Sequence, residues 1–441
     1  MTPRLAARVR VVPWLVTAAA AAAAGLVAQP RAAAPTHVVE IHAKLRPGAS
    51  ATAAVGGPAH IAPLFAPGAS PALARWRRIS VTTTRPDEDI AADFAADAAF
   101  EEAFVAPVVS LPRETRGPAG DESCPIATPS FESYQGYLGP APQGIDAPAA
   151  WRRGSRGGGE QFADIEGGWN AAHEDLVGER IAHIHGSSIL DRGWRAHGTA
   201  VLGEVVGKDN GRGVVGIAPD VDRVFTSSIF GSDVAPAIEA AAEALRPGDV
   251  LLIELQATGP RRAYIPVEYW DDVFEAIQDA TRRGVVVIEA AGNGGEDLDH
   301  AAYRGRFDRK KRDSGAILVG AGGPPRDGYV DRARLEFSNY GGRVDVQGWG
   351  RKVATLDYGD LQACADATDR HYTGEFSGTS SASPIVAGAA LLVEGAARSH
   401  GKVLPPAELR ALLIRSGTPQ VGDLKEHIGP RPDLERALSQ R

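Results

Sequence analysis

A serine that precedes a helix-like segment is the first candidate for chemistry in this chain. Just before the apolar stretch of residues 385–393, the chain reads Gly378-Thr379-Ser380-Ser381-Ala382-Ser383-Pro384. Small neighbours would let a substrate backbone approach the Ser380 hydroxyl, and amides at a helix N-terminus would face a developing negative charge. The same Gly-Thr-Ser pattern also makes an ordinary N-cap. The segment alone therefore leaves a nucleophile and a structural cap both open.

A histidine upstream adds the base that such a serine needs, and an asparagine also follows a strand-like run. His197 lies in His-Gly-Thr, which opens a helix-like run over residues 199–206. An imidazole can take the serine proton and return it to the leaving group. Asn293 follows the strand-like run 285–290 and precedes a glycine, in an Asn-Gly pair that often forms a turn.

Composition limits the partners of the chain. It has 441 residues, a formal net charge of −8 and a pI near 5.8. This length suffices for one large core and a smaller attached domain. An acidic balance argues against a nucleic-acid partner and against binding to anionic membrane surfaces. We therefore expect neither.

The first residues predict export. Arg4, Arg8 and Arg10 precede the apolar run 11–28, and small residues continue through Ala34. This order is typical of a cleaved signal peptide, predicted over residues 1–34, and an uncleaved anchor is the alternative. No later stretch reads as a membrane span, so we expect a secreted protein without membrane contact after cleavage.

The two cysteines, Cys124 and Cys364, are compatible with an exported protein that has one disulfide bond. Two unpaired thiols are the alternative. The sequence does not show whether the two residues meet in space.

A small α+β unit is predicted over residues 35–112. Strands are expected at residues 38–42, 79–84 and 105–109, a helix over residues 87–104, and a Gly/Pro/Ala-rich loop at residues 50–71. Residues 113–133 are rich in Pro, Gly, Asp and Ser, which predicts a linker.

From residue 134 to residue 441, apolar strands alternate with helices. Strands are predicted at residues 161–165, 224–229, 250–255, 285–290 and 316–320, and helices at 234–245, 267–283 and 404–416. This alternation predicts an α/β fold, with a parallel sheet covered by helices on both faces. Ligands bind at the carboxyl ends of such strands. Glu166, Gln256 and Asn293 follow three of them.

Motifs in four separate places resemble those of the subtilisin-like serine peptidases, the subtilases. They occur in the order His197-Gly198-Thr199, Ala290-Ala291-Gly292-Asn293, Phe337-Ser338-Asn339-Tyr340-Gly341 and Gly378-Thr379-Ser380. The similarity extends from about residue 134 to the end of the chain. It implies a subtilisin-like fold in which Ser380 is the nucleophile and His197 is the general base and later the acid. The Asn293 side chain and the Ser380 amide would then bind the oxyanion.

The acidic member of the triad is where the chain departs from the family. Subtilases usually carry Asp-Ser/Thr-Gly at the end of the first core strand, whereas this chain reads Phe162-Ala163-Asp164-Ile165-Glu166-Gly167-Gly168-Trp169. Asp164 has the expected side chain, but the spacing to the family-like Asp175 favours Glu166. Residues two apart on a strand share a face, so both acids are expected near the histidine. We favour Glu166 as its direct partner and keep Asp164 as a supporting or alternative acid.

Two segments would line the substrate cleft by the same resemblance. They are Ile253, Glu254, Leu255 and Gln256, which correspond to the family strand that pairs with the substrate backbone, and Ala290, Ala291 and Gly292 across the primary pocket. The usual Ser-Leu-Gly is replaced here by larger and more polar residues. Glu254 and Gln256 would narrow the pocket or favour basic side chains.

A structural calcium site is also implied. Asp175, Asn210 and backbone carbonyls around residues 208–214 match a family calcium site, which Gln135 would complete. Oxygen ligands suit calcium. A solvated Asp-Asn-Gly turn is the alternative, and no cofactor is required for the chemistry.

The resemblance completes the functional prediction. Residues 35–112 would be a propeptide domain that assists folding and blocks the cleft as an intramolecular inhibitor, with maturation in the linker near Arg113 or Arg116. The expected protein is a secreted serine endopeptidase that hydrolyses polypeptides through an acyl-enzyme. Two alternatives stay open: a weakly active or inactive homologue that binds peptides, and an esterase that uses the same triad.

Overall fold

The computed structural model describes residues 35–50, 59–110, 124–178, 181–364 and 367–440. The predicted signal peptide lies outside the described residues. So do the candidate maturation residues Arg113 and Arg116.

The N-terminal unit, residues 35–110, is an antiparallel sheet with one helix. Its elements are β1 (His37–Leu45), β2 (Ala59–Pro63), β3 (Trp76–Thr83), α1 (Asp87–Ala96), β4 (Phe100–Val105) and β5 (Val109–Ser110). The first four strands lie in the order β2-β3-β1-β4. Ile90 and Phe94 of α1 pack on the β1 residues Val39 and Ile41, and this gives the unit a core of its own.

Two predictions for this unit were wrong in their boundaries. The helix predicted over residues 87–104 ends at Ala96, because Asp97 is extended and β4 pairs with β1. The segment 50–71, predicted as a loop, contains β2, which pairs with β3. In both places a pairing with a distant strand decided the local structure.

A seven-stranded parallel sheet forms the centre of the C-terminal domain, residues 124–440. The elements in chain order are α2 (Ala147–Arg152), β6 (Gln161–Glu166), β7 (Ile181–His185), α3 (Arg192–Val206), β8 (Arg223–Ser228), α4 (Val234–Ala244), β9 (Val250–Ile253), β10 (Gln256–Thr258), β11 (Tyr264–Pro266), α5 (Asp271–Arg282), β12 (Val286–Ala290), β13 (Ile317–Gly322), β14 (Val346–Trp349), β15 (Val353–Leu356), β16 (Tyr372–Phe376), α6 (Thr379–Arg398), α7 (Pro406–Ser416) and α8 (Leu434–Ser439). The strand order is β14-β13-β12-β9-β6-β8-β7.

Alternate residues of the central strands face two different helical layers. Leu252 and Ile288 belong to the core beneath α3 and α6, whereas Ile253 and Val287 belong to the core beneath α4 and α5. The strands are buried on both faces, which explains their nearly continuous apolar sequence. The predicted fold class is confirmed.

Helix α6 has the length and hydropathy of a membrane span, contrary to the expectation that no later stretch would qualify. Almost all of its residues are buried inside the domain, where it packs on α3 and on four strands of the sheet. Its apolar character is therefore that of a core helix.

A disulfide bond joins Cys124 to Cys364, whose Cα atoms are 5.0 Å apart. It ties the first described residue of the C-terminal domain to the segment before β16. This pairing spans 240 residues of sequence.

Candidate active site

Ser380 is the second residue of α6 and is almost fully buried. The residue before this helix, Gly378, has a φ of 103°, a conformation that favours glycine. A Cβ atom at Gly378 would lie 3.3 Å from Asn293 Nδ2 and 3.5 Å from Ser380 N. Because glycine has no Cβ atom, a small space between these two N–H donors stays open beside Ser380.

Asn293 is held so that its amide nitrogen faces this space. Its Oδ1 accepts hydrogen bonds from Thr379 N at 2.9 Å and from Thr379 Oγ1 at 3.2 Å. Its Nδ2 has no hydrogen-bond partner in the described part of the chain. The side chain is thus oriented through its oxygen, and its NH₂ group is left to bind an anion.

His197 lies in the second turn of α3, on the same face of the sheet as α6. The helix begins at Arg192, so the prediction that His197 precedes the helix was wrong. His197 Nδ1 is hydrogen-bonded to Glu166 Oε1 at the end of β6. The ring of Phe376 packs edge-on against the imidazole, with ring centroids 5.5 Å apart. The acid and the aromatic ring together fix the orientation of the imidazole.

Close contact between α3 and the end of β6 depends on Gly198. A Cβ atom there would lie 2.5 Å from Gly168 O and 2.8 Å from the Trp169 ring. A side chain at this position would push His197 away from Glu166.

Asp164, the other candidate acid, is bound to a different group. Its Oδ2 accepts a hydrogen bond from Trp169 Nε1 at 2.7 Å. Burial raises the pKa of Asp164 well above its usual range, and the Glu166 carboxyl raises it further. Burial likewise raises the pKa of Glu166. Of the two acids on this strand face, Glu166 contacts the imidazole and Asp164 contacts the indole.

The predicted cleft segments are adjacent and are linked by a side chain. Gln256, the first residue of β10, accepts a hydrogen bond from Asn293 N at 2.8 Å through its Oε1. Its Nε2 is buried and lacks a partner among the described residues. The side chains of Ile253 and Leu255 pack in the core beneath α4 and α5.

The opposite segment, which consists of Ala290, Ala291 and Gly292, is held in place by hydrogen bonds. Asn339 Nδ2 donates to Ala291 O at 2.6 Å and to Tyr264 O of β11 at 2.8 Å. Gly292 N donates to Thr379 Oγ1 at 3.2 Å. These bonds hold Gly292 between the β10–β11 hairpin and the start of α6.

Several supporting residues could not be assigned from sequence. Asn339 and Thr379 lie in motifs that resemble those of the family, but the sequence did not show which groups their side chains would bind. Ser383 lies within the serine motif and contacts Glu254. The nearest signal for it was its position one turn after Ser380.

The predicted calcium ligands bond to one another. Asn210 Nδ2 donates to Asp175 Oδ1 at 3.0 Å, and Val214 N donates to Asp175 Oδ2 at 2.9 Å. Gln135 Oε1 accepts from Val215 N at 2.9 Å. Calcium requires oxygen lone pairs directed at the ion, and these oxygens face N–H groups instead. In this arrangement the residues do not fit a calcium site. Burial raises the pKa of Asp175 to about 6.

Comparison with known proteins identifies the family. Residues 179–429, more than half of the chain, match the model of the Subtilase family. The chain belongs to the subtilase family. It is therefore a serine endopeptidase of the subtilase type. The matched residues include His197, Asn293 and Ser380, whereas Glu166 and Asp164 precede them. The departure in the acid motif thus lies outside the segment that the family model matches.

Named relatives of this subtilase are proteases, and the name of one of them states that it is intracellular. It is 29% identical over 303 residues to the "Intracellular serine protease" of Paenibacillus polymyxa, which covers 66% of this chain and 81% of the relative. It is 30% identical over 256 residues to "Subtilisin BL" of Lederbergia lenta, covering 57% of this chain and 81% of the relative. A solved protease of Pseudoalteromonas arctica has the same fold, with a TM-score of 0.54, 21% identity, and coverage of 71% of this chain and 99% of that chain.

Proposed function

We propose that this subtilase is an active, secreted endopeptidase that cleaves extended polypeptides through an acyl-enzyme on Ser380. The observation that carries the proposal is the convergence of Asn293 Nδ2 and Ser380 N on the space beside Gly378. Two N–H donors directed at one point beside a serine are the arrangement that binds the oxyanion of an acyl-transfer reaction.

In the acylation step, Ser380 Oγ attacks the scissile carbonyl carbon while His197 Nε2 accepts the hydroxyl proton. The carbonyl oxygen becomes an oxyanion, which receives hydrogen bonds from Asn293 Nδ2 and Ser380 N. Glu166 accepts from His197 Nδ1 and stabilises the imidazolium. His197 then gives its proton to the leaving amine, and the peptide bond breaks.

In the deacylation step, water replaces the amine. His197 takes a proton from the water, whose oxygen attacks the acyl carbon, and the same two donors bind the second oxyanion. Collapse of this intermediate returns the proton to Ser380 Oγ and releases the acid product. Glu166 and His197 end the cycle in their initial states.

The N-terminal unit is proposed to inhibit the enzyme by lying on its substrate strand. Strand β5 pairs antiparallel with β10, with Ser110 opposite Gln256 and Val109 opposite Ala257. Strand addition of this kind is how an extended peptide binds a sheet edge. The N-terminal chain thus lies beside Gln256, whose Oε1 accepts from Asn293 N.

The same unit also packs against α4 and α5. Trp76 and Phe65 belong to the same buried apolar cluster as residues of these helices. Trp76 Nε1 donates to Glu275 Oε2 at 3.0 Å, and His42 Nδ1 is 2.7 Å from Asp272 Oδ2. This apolar and charged interface supports an inhibitory domain that stays docked.

Secretion is proposed from the basic and apolar N-terminal sequence and from the Cys124–Cys364 disulfide, which suits an oxidising compartment. The boundary between the N-terminal unit and the mature enzyme is proposed within residues 111–123. Sequencing the N-terminus of protein from culture medium tests both. A start within or just after residues 111–123 supports maturation, and a start near residue 35 would mean that the unit is retained.

Activity is tested with casein and with short acyl esters, using the wild-type protein and Ser380→Ala. We expect casein cleavage that Ser380→Ala abolishes. Ester hydrolysis without casein cleavage would instead favour an esterase, and no turnover of either substrate would favour a peptide-binding homologue.

A further inference from the structure

Glu254 is a buried carboxyl group next to the proposed nucleophile. It directly follows β9 and is only 2% exposed. Its Oε1 lies 2.7 Å from the hydroxyl of Ser383, one helical turn after Ser380 on α6. Glu254 therefore contacts the catalytic helix from within the domain.

The two hydrogen-bond contacts of the Ser383 hydroxyl indicate whether Glu254 is protonated. Ser383 Oγ lies 2.7 Å from Glu254 Oε1 and 2.7 Å from the carbonyl oxygen of Thr379. A serine hydroxyl has one proton to donate, and a carbonyl oxygen can only accept. With an ionised Glu254, one of these two short contacts would have no proton between its oxygen atoms. A protonated Glu254 satisfies both, because it donates to Ser383, which donates to Thr379.

Neighbouring carboxyl groups also favour the protonated form of Glu254. Asp164 and Glu166 on the neighbouring strand β6 lie on the same side of the sheet as Glu254. The imidazole of His197 is hydrogen-bonded to Glu166. Burial raises the pKa of Glu254 well above its usual range, and Glu166 and Asp164 raise it further, although hydrogen bonds with Ser383 and Ser380 lower it in part. On the other neighbouring strand, β12, Glu289 points to the opposite layer, where it accepts a hydrogen bond from Glu268 N.

We propose that Glu254 is a positioning residue that acts as a neutral carboxylic acid. Its proton links the end of β9 to the first turn of α6 through the chain Glu254–Ser383–Thr379. Thr379 in turn donates to Asn293 Oδ1, so this chain of bonds reaches the proposed oxyanion donor.

Neutrality of Glu254 also matters for the chemistry. The tetrahedral intermediate adds a negative charge beside Ser380, and an ionised carboxylate nearby would oppose it. This inference rests on the proposed function for its catalytic consequence. The protonation state itself is independent of whether Ser380 reacts.

Infrared difference spectroscopy tests the protonation state directly. We compare the full-length wild-type protein with Glu254→Gln at neutral pH, in H₂O and in D₂O. A C=O stretching band of a protonated carboxylic acid, present in the wild type, shifted in D₂O and absent in the variant, supports the proposal. The absence of such a band from the difference spectrum overturns it.

The rate at which a fluorophosphonate labels Ser380 in protein recovered from culture medium, after maturation, tests the positioning role. Gln can donate to Ser383 from its amide, so we expect Glu254→Gln to label within about threefold of the wild type. Glu254→Ala and Ser383→Ala should label more than about tenfold more slowly, with the thermal midpoint measured for each to exclude unfolded protein. Equal labelling by folded Ser383→Ala and wild type overturns the positioning role. No labelling of the wild type would overturn the proposed function instead, while the infrared result would stand.

Discussion

Glu166 Oε1 is hydrogen-bonded to His197 Nδ1, while Asp164, two residues earlier on the same strand, accepts from Trp169 Nε1. The carboxyl group behind the imidazole is therefore a glutamate at the end of β6. Its extra methylene group reaches α3 because Gly198 lets the helix approach the strand closely.

Replacement of the two acids should separate their roles. Glu166→Gln is expected to lower kcat by about 10³-fold or more, because the imidazole loses the acceptor that holds its tautomer and stabilises its cation. Asp164→Asn should lower kcat less than about tenfold, since Asp164 bonds the indole. Steady-state kinetics on a chromogenic peptide checks this, with thermal unfolding of each variant as the control. A larger loss for Asp164→Asn would reverse the assignment.

The amide nitrogen of Asn293 should act on kcat rather than on binding. Asn293→Asp keeps the size of the side chain but removes its NH₂ group, and we expect kcat to fall by about 10²- to 10³-fold with KM changed little. Thr379→Ala keeps the backbone donor to Asn293 Oδ1 but loses the bond from Gly292 N to Thr379 Oγ1, so it should lower kcat less than Asn293→Asp does. The assignment fails if Asn293→Asp raises KM while kcat is unchanged.

Docking of the N-terminal unit should weaken at alkaline pH. Burial opposes the charge of His42, but the attraction of Asp272, with Asp233 beside it, raises its pKa from 6.5 to about 9. Arg78 and the Phe104 ring also border this site. Because the pKa of His42 is raised in the docked state, protonated His42 stabilises docking fully below pH 6.5, and this stabilisation is lost as the pH rises through about 9. The shift corresponds to at most about 3 kcal/mol.

This dependence is measured in a Ser380→Ala background, which cannot process itself. The thermal midpoint of the docked unit is compared between His42 and His42→Gln proteins at pH 6 and at pH 10. The His42 protein should be more stable at pH 6, and the gap should nearly close at pH 10. A gap that stays constant with pH would show that His42 acts by packing alone.

Removal of divalent ions should have little effect on stability. Both carboxylate oxygens of Asp175 accept hydrogen bonds from N–H groups of the chain. Dialysis against EDTA is therefore expected to change the thermal midpoint by less than about 2 °C. A larger fall that calcium alone restores would show that these residues rearrange to bind the ion, as the sequence resemblance implied.

Features that depend on residues close together in the sequence were predicted, whereas features that depend on residues far apart in the sequence were not. Ser380, His197 and Asn293 lie in short motifs, and the central strands are nearly continuous apolar runs. The sequence therefore predicted both the candidate site residues and these strands. The end of α1 was missed because pairing of β4 with β1 overrode a helical pattern. The Glu254–Ser383 contact was missed because it joins residues 129 apart in sequence. Strand β14 was missed because Gln347 and Gly348 interrupt its apolar pattern.

Covalent labelling at Ser380 tests the central claim most directly. Protein recovered from culture medium, after maturation, is treated with a fluorophosphonate and the modified residue is located by mass spectrometry of its peptides, with Ser380→Ala and His197→Ala as controls. The account predicts one adduct, on Ser380, that is absent from Ser380→Ala and slowed by about 10³-fold or more in His197→Ala. A folded wild-type protein that is unlabelled, or that is labelled on another residue, would contradict it.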